Sequence, residues 1–171
     1  MRKIWIGLPA YNEEKAIGSL LTRFHEVLGK DFNYEIVVYN DGCKDRTVEI
    51  AESWKDRLNL TVIGLPTNRG LGEGLRRLVE FAVQNGGDED LFALMDCDDT
   101  HHPSQIKEMI QVIDSGYDLV IASRYRARAT VKGVPLHRQM LSFGAAFLFK
   151  TLHPVRGVLD YTCGYRCYKV S

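Results

Sequence analysis

The chain has 171 residues, of which 45% are hydrophobic, and 22 basic side chains balance 22 acidic ones. This length and apolar content favour one compact domain over residues 1–171 with a buried core, and they exclude a disordered tail. A formal net charge of zero excludes the overall basic field of a nucleic-acid-binding protein, so we expect no nucleic-acid partner and only local sites for anions.

Cysteine usage and hydropathy bear on the location of the protein. The four cysteines lack C-x-x-C spacing, which favours reduced thiols in the cytoplasm. The apolar stretch at the N-terminus is too short for a signal peptide, and no stretch reaches the roughly 18 apolar residues of a membrane-spanning helix. Because the sequence stops at the end of a strand-like segment, we expect a catalytic domain truncated at its C-terminus.

Short apolar segments and amphipathic helices alternate along the chain. The segments resemble buried parallel strands and cover residues 3–8, 34–39, 60–65, 91–95 and 118–122. Apolar residues at helical spacing predict the inner faces of three helices: Ala16, Ile17, Leu20, Leu21, Phe24 and Leu28; Leu71, Leu75, Leu78, Val79 and Ala82; Ile106, Met109, Ile110 and Ile113. This order predicts a parallel sheet covered by helices on both faces.

A polar loop follows each of the first four strands: PAYNEE, NDGCKDRT, TNRGLGEG and DCDDTHH. The carboxyl ends of parallel strands meet at one edge of a sheet, so these loops predict one shared site. An arginine-rich loop and an amphipathic helix over 136–152 follow the fifth strand. They are interpreted either as an acceptor-side extension or as a solvated loop with one more core helix.

The loop after the fourth strand predicts a metal site. Asp96 and Asp98 are two positions apart in a segment predicted to be extended, so both carboxylates can face one Mg²⁺ or Mn²⁺ ion. A calcium loop of the EF-hand type is excluded because its glycine and glutamate positions hold His101 and Lys107. Zinc bound by the two adjacent histidines is a weaker alternative. We expect Asp99 and one histidine to cap the following helix.

The other loops predict a nucleotide site. The glycines of NRGLGEG match neither the dinucleotide-binding nor the P-loop pattern, but they allow close approach of the backbone to an anion at a helix start. Asp41 at the sheet edge is a candidate for contact with a base or ribose, beside Tyr11 and Glu13. Together with a metal for a diphosphate, these groups predict a nucleotide-sugar site.

The ordered motifs LPAYNEE, NDGCKDRT, NRGLGEGLRR, MDCDDTHHP, ASRY and DYTCGYR resemble those of glycosyltransferase family 2 across essentially the whole chain. Within the family, the resemblance is closest to the dolichyl- or polyprenyl-phosphate mannosyl- and glucosyltransferases. It implies the GT-A fold, a Rossmann-like α/β/α sandwich with a mostly parallel central sheet. Departures from the family pattern occur at Asn40, Cys43, Cys97 and Cys163, and Asn40 suggests a changed nucleotide preference.

The resemblance also implies a role for individual residues. A GDP- or UDP-hexose would contact Pro9, Tyr11, Glu13, Asp41, Asp96, Cys97 and Asp98. Mg²⁺ or Mn²⁺ would lie at Asp96 and Asp98, near Thr100. The phosphate of the acceptor would be held by Arg124, Arg138 and Ser142. The implied catalytic residues are Asp98, Arg124, Arg138, Asp160 and Arg166.

The implied activity is metal-dependent, inverting transfer of a hexose to a polyprenyl or dolichyl phosphate. We expect it at the cytosolic membrane face, with the protein peripheral or anchored through parts outside this chain. A phosphate monoester is already ionised near neutral pH and needs no general base. Two alternatives stay open: a family 2 transferase acting on a saccharide hydroxyl, with Asp160 as a candidate base, or a catalytically silent nucleotide-binding regulatory domain.

Overall fold

The computed structural model describes residues 2–28, 32–125, 144–146, 148–152, 154–155 and 157–170. Strands and helices alternate in the order β1 Ile4–Ala10, α1 Ile17–Leu28, β2 Tyr34–Asp41, α2 Thr47–Glu52, β3 Leu60–Leu65, α3 Leu71–Asn85, β4 Leu91–Leu94, α4 Gln105–Asp114, β5 Leu119–Ile121 and β6 Arg166–Lys169. Positions 144–146 and 148–152 are also helical. The first part of the helix predicted over 136–152 lies outside the described residues.

The strands form one sheet in the order β3-β2-β1-β4-β6-β5. Neighbours from β3 to β4 are parallel, whereas β6 is antiparallel to β4. The five strands predicted over residues 3–122 are all present, and the strand-like segment at the end of the sequence forms a sixth strand, β6, which separates β4 from β5. The predicted α/β class with a mostly parallel sheet is confirmed.

Both faces of the sheet are buried. Trp5 of β1 belongs to a cluster on one face that includes Leu78 and Ala82 of α3. Ile6 and Leu8 alternate with it along the strand and are fully buried on the other face. The continuous apolar runs that predicted these strands therefore reflect burial on two sides.

The predicted inner face of α3 is partly wrong. The helix buries Gly74, Leu78 and Ala82, whereas Leu71 and Val79 are 59% and 45% exposed. The helix is therefore turned so that Gly74 faces the sheet. Glycine allows this close packing, because a Cβ there would lie 3.1 Å from the Tyr39 ring. In contrast, the predicted inner faces of α1 and α4 are buried as expected, except for Ala16 before the first turn.

The described residues divide into two compact units, one within Met1–Val120 and Tyr165–Ser171 and the other within Ile121–Gly164. The expectation of one catalytic domain over 1–171 stays a prediction. Among the helices in the described part of the chain, none has the length and hydropathy that crossing a membrane would require.

Candidate functional site

A pocket of about 290 Å³ lies at the carboxyl edge of the sheet. Its wall is formed by the end of β1 and the segment after it, by Asp41 at the end of β2, and by the segments that follow β3 and β4, and each of the four polar loops contributes as predicted. Every residue predicted to contact the nucleotide sugar lines it: Pro9, Tyr11, Glu13, Asp41, Asp96, Cys97 and Asp98. The remaining lining residues are Ala10, Asn68, Gly70, Leu71 and Gly74.

Asp41 anchors the loop between β3 and α3. Its side chain is buried, and its two carboxylate oxygens accept the backbone N–H groups of Arg69 at 2.7 Å and Gly70 at 2.9 Å. The neighbouring Gly42 has φ +71°, and a Cβ there would lie 2.5 Å from the backbone N of Asn68. Asp41 therefore shapes the pocket wall. The sequence predicted only a contact of Asp41 with the nucleoside and did not predict this role.

Negative charge accumulates in this pocket. Burial first, and then the charges of Asp98, Asp45 and Asp96, raises the pKa of Glu13. A bound cation would relieve this repulsion, so the pocket fits the predicted divalent ion. No group of three His, Cys, Asp or Glu side chains within the described residues is arranged to hold a metal. The arrangement instead suits Mg²⁺ or Mn²⁺ bound through two carboxylates, with phosphate and water completing the coordination.

The loop after β4 is a turn and does not continue the extended conformation assumed for Asp96 and Asp98. Cys97 is buried between the two aspartates, and both aspartates line the pocket. Burial raises the pKa of the Cys97 thiol, and oxygen ligands suit Mg²⁺ and Mn²⁺ better than sulfur does. Thr100 donates its N–H and its hydroxyl to Oδ1 of Asp98, at 3.1 and 2.7 Å, and so orients this carboxylate.

The remaining polar residues of this loop have other partners. Asp99 has φ +59°, and its Oδ1 lies 3.0 Å from Nη1 of Arg23 in α1, so the expected helix cap is wrong for Asp99. The Nδ1 atom of His102 accepts the N–H of Ser104 at 3.2 Å, one residue before α4, so it orders the approach to the helix and does not cap a helical N–H group. The His101 ring packs 5.2 Å from the ring of Tyr165. The two histidines therefore serve local structure, which disfavours the zinc alternative.

Within the unit formed by Ile121–Gly164, Arg124 and Asp160 form an ion pair. Nε and Nη2 of Arg124 each donate to the Asp160 carboxylate at 2.9 Å, and Nη2 also donates to Thr162. Asp160 is fully buried and accepts further N–H bonds from Thr162 and Cys163. Burial alone would raise the pKa of Asp160, but the bonds and charge of Arg124 outweigh it and hold this pKa below its ordinary value. The pair therefore stabilises the local chain.

Of the other predicted catalytic and acceptor residues, only Arg166 lies within the described part of the chain. Arg166 begins β6 and pairs with Leu94, two residues before Asp96. Its position beside the end of β4 depends on the antiparallel pairing of β6, which the sequence did not predict. Arg138 and Ser142 lie outside the described residues.

The departures from the family motifs preserve local hydrogen bonds. Asn40 accepts the N–H of Cys43 at 2.8 Å through its side-chain oxygen, as an aspartate would. The thiol of Cys43 donates to the carbonyl of Ala10 at 3.4 Å, and that of Cys163 donates to Ala122 at 3.1 Å. The cysteine thiols thus occupy positions where a hydroxyl donor would also fit.

Comparisons with known proteins agree with this architecture. A dolichol-phosphate mannosyltransferase of Pyrococcus furiosus is 32% identical over 95% of the chain and 45% of its own length. A polyprenol monophosphomannose synthase of Mycolicibacterium smegmatis is 29% identical over 95% of the chain and 60% of its own length. The chain thus spans about half the length of the curated relatives it matches.

A solved structure shares the fold. Glucosyl-3-phosphoglycerate synthase from Mycobacterium tuberculosis, crystallised with Mn²⁺, UDP and glucosyl-3-phosphoglycerate, superposes with a TM-score of 0.72 at 24% identity. The superposition covers 99% of this chain and 57% of that one. The predicted GT-A architecture is therefore confirmed.

The family sequence pattern described as glycosyl transferase family 2 matches residues 5–170. This match includes all six motifs on which the resemblance was based, together with the four pocket loops and β6. The chain therefore belongs to glycosyl transferase family 2.

Proposed function

We propose that this chain is the catalytic domain of a hexosyltransferase that uses a nucleotide sugar and a polyprenyl or dolichyl phosphate. The single observation that carries the proposal is the pocket at the sheet edge, where Asp41, Glu13, Asp96 and Asp98 lie together. Relatives named as dolichol-phosphate and polyprenol-phosphate mannose enzymes match 95% of the chain, which supports this acceptor class.

The donor half of the proposal assigns Asp96 and Asp98 to a divalent ion, Mg²⁺ or Mn²⁺, near Thr100. When bound, the ion would offset the charge on the leaving diphosphate. Thr100 keeps the Asp98 carboxylate oriented, and Pro9 and Tyr11 line the same pocket, where they would contact the nucleoside. We propose GDP-mannose or UDP-glucose as the donor.

The acceptor half assigns the lipid phosphate to Arg124, Arg138 and Ser142. A phosphate monoester is already a nucleophilic oxyanion near neutral pH, so its reaction requires orientation and no proton acceptor. Direct displacement by it would invert the anomeric centre. The hydroxyl-acceptor alternative needs a base, and Asp160 is poorly suited because it is fully buried and paired with Arg124. Retention of both carboxylates in the pocket disfavours a silent regulatory domain.

We also propose that the protein acts at the cytosolic face of a membrane. In the Ile121–Gly164 unit, the helical positions 148–152 expose large apolar side chains beside Lys150, including Leu148 at 55% and Leu152 at 64%. Exposed apolar side chains next to a basic one suit a helix lying on lipid headgroups. The free thiols of all four cysteines are consistent with the cytosol.

The acceptor is tested by transfer assays with purified protein and matched polyprenyl phosphate and polyprenol. We expect transfer to the phosphate alone. Arg138→Ala should slow it about ten- to a hundredfold while changing nucleotide-sugar affinity little, because one charge-assisted hydrogen bond contributes on the order of 1.5–3 kcal/mol. Comparable rates on the two acceptors would favour the hydroxyl-acceptor alternative.

The donor and the membrane surface need separate measurements. A thermal-shift panel of GDP- and UDP-sugars with Mn²⁺ identifies the donor, because a ligand at 100 times its Kd adds about 2.7 kcal/mol of stability. For the membrane, we expect Leu148→Asp with Leu152→Asp to reduce co-sedimentation with anionic liposomes. Unchanged co-sedimentation would remove this helix from the proposal.

A further inference from the structure

The loops after β1 and β2 are joined by reciprocal hydrogen bonds, and we call this contact the interloop clamp. The backbone N–H of Glu13 donates to Oγ1 of Thr47 at 2.7 Å, and that of Glu14 donates to Oδ2 of Asp45 at 3.1 Å. In the other direction, the N–H of Lys44 donates to Oδ1 of Asn12 at 2.8 Å and that of Arg46 donates to Oε2 of Glu14 at 3.1 Å. The conformation of one loop therefore depends on the other.

Thr47 is the buried centre of the interloop clamp. It is fully buried at the start of α2, and its hydroxyl both accepts the Glu13 N–H and donates to Oδ1 of Asp45 at 2.5 Å. Asp45 also accepts the backbone N–H of Thr47 at 3.0 Å. Burial opposes ionisation of Asp45, but these bonds outweigh it and lower its pKa, so the carboxylate remains a charged acceptor.

Glu13 also belongs to the pocket at the sheet edge, which we call the nucleotide pocket. Glu13, Asp96 and Asp98 all line that pocket. Their mutual repulsion opposes their close approach, so the Glu13 backbone must be held in place by bonds outside the carboxylate cluster. The Thr47 hydroxyl provides such a bond at the Glu13 N–H.

We propose that Thr47 is a positioning residue for metal-dependent nucleotide binding, acting through the backbone of Glu13. This inference rests on the proposed function of the pocket. Thr47 contacts no ligand in this scheme. It keeps the Glu13 carboxylate beside the aspartate pair, so that a divalent ion and a diphosphate meet a preformed site.

The test compares Thr47→Val with Thr47→Ser. Valine keeps the shape of threonine but leaves the Glu13 N–H without its acceptor, whereas serine retains the hydroxyl. The matched control is Thr61→Val on β3, which removes a hydroxyl bound to Glu35 at 2.8 Å outside the pocket. Calorimetry would measure the Kd of GDP and of UDP with Mn²⁺ and with chelator, and thermal unfolding would give the Tm of each variant.

We expect Thr47→Val to weaken nucleotide binding about tenfold with Mn²⁺ and much less with chelator, since one buried N–H loses its acceptor. Thr47→Ser should restore most of the affinity, and Thr61→Val should change the Tm without changing the Mn²⁺ dependence. If Thr47→Val does not fold, Thr47→Ala gives the same comparison, because it removes the same acceptor of the Glu13 N–H with a smaller side chain at this buried position.

Two results would overturn the inference, and they are distinguishable. Wild-type protein that binds neither GDP nor UDP with Mn²⁺ would remove the proposed function and this inference together. Wild-type binding that depends on Mn²⁺, combined with equal losses in Thr47→Val with metal and with chelator, would leave the proposed function standing. Thr47 would then support the fold alone.

Discussion

The pocket at the sheet edge and the Arg124–Asp160 pair contrast in how the charges of their carboxylates are balanced. In the pocket, Glu13 lies near two aspartates whose charges help to raise its pKa. In the Ile121–Gly164 unit, Asp160 accepts hydrogen bonds from an arginine, and these bonds lower its pKa despite burial. The first arrangement leaves repulsion for a ligand to neutralise, whereas the second satisfies its charges internally. A carboxylate whose charge is balanced within the chain has a structural role, whereas the pocket carboxylates are those proposed to bind a ligand.

The largest expected effect on binding comes from Asp98→Asn. Removing one of the two proposed ligand carboxylates should weaken Mn²⁺-dependent nucleotide binding about a hundredfold, because the ion loses a charged ligand. Asp98 is exposed, so the unfolding free energy should change little. Calorimetry with Mn²⁺ and with chelator measures the effect, and Asp88→Asn, exposed before β4, is the matched control. Equal affinity in Asp98→Asn and wild type would mean that Asp98 binds no metal.

For Asp160 we expect the reverse: a loss of stability without a loss of nucleotide affinity. Asp160→Asn should lower the unfolding free energy by about 2 kcal/mol, because it leaves the Arg124 guanidinium without its charge partner. Nucleotide affinity should remain that of the wild type. Urea unfolding measures the stability, and Asp114→Asn, which breaks an exposed pair with Arg2, should have a much smaller effect. A loss of nucleotide affinity without a loss of stability would contradict the structural role.

The pH dependence sharpens the same contrast. Asp160 has a lowered pKa in the folded chain, so its stabilising contribution is present above its unfolded value of about 3.9 and is lost as the pH falls through the lower folded value. Urea unfolding between pH 6 and pH 3 should therefore show a falling stability that is weaker in Asp160→Asn. Parallel pH profiles for the variant and wild type would contradict this assignment.

Asp41→Asn should give an intermediate effect that does not depend on metal. An asparagine amide turns its NH₂ group toward one of the two loop N–H groups, so one buried donor loses its acceptor at a cost of about 1–3 kcal/mol. Nucleotide affinity should fall about tenfold with Mn²⁺ and with chelator alike. This pattern differs from that of Asp98→Asn, and a purely Mn²⁺-dependent loss would mean that Asp41 acts through the ion.

The smallest expected effect is that of Arg23→Gln. The ion pair with Asp99 is partly exposed, so its loss should cost at most about 1 kcal/mol. Asp99 keeps a left-handed backbone conformation beside Asp98, and a loosened Asp99 should weaken Mn²⁺-dependent nucleotide binding about threefold. Arg23→Lys should retain most of the affinity, and equal losses in the two variants would remove the charge pair as the cause.

The sequence predicted those features of the fold and the pocket that depend on residues close together in the chain. The apolar runs and polar loops placed Asp41, Asp96 and Asp98 at one sheet edge, and all three line the pocket. The last segment was strand-like in sequence, but its antiparallel pairing with β4 joins distant parts of the chain and left no local pattern. The same reason explains why Thr47 was missed as the acceptor for Glu13, since their contact joins two different loops.

The place of β6 in the sheet also constrains the order of folding. Strands β1 to β4 are neighbours in space and come from the first 94 residues, whereas β5 borders the sheet through β6. During synthesis, β5 emerges well before β6, so it must wait for a partner that is made more than 40 residues later. We expect pulsed hydrogen exchange to protect the amides of β1 to β4 first and those of β5 no earlier than those of β6.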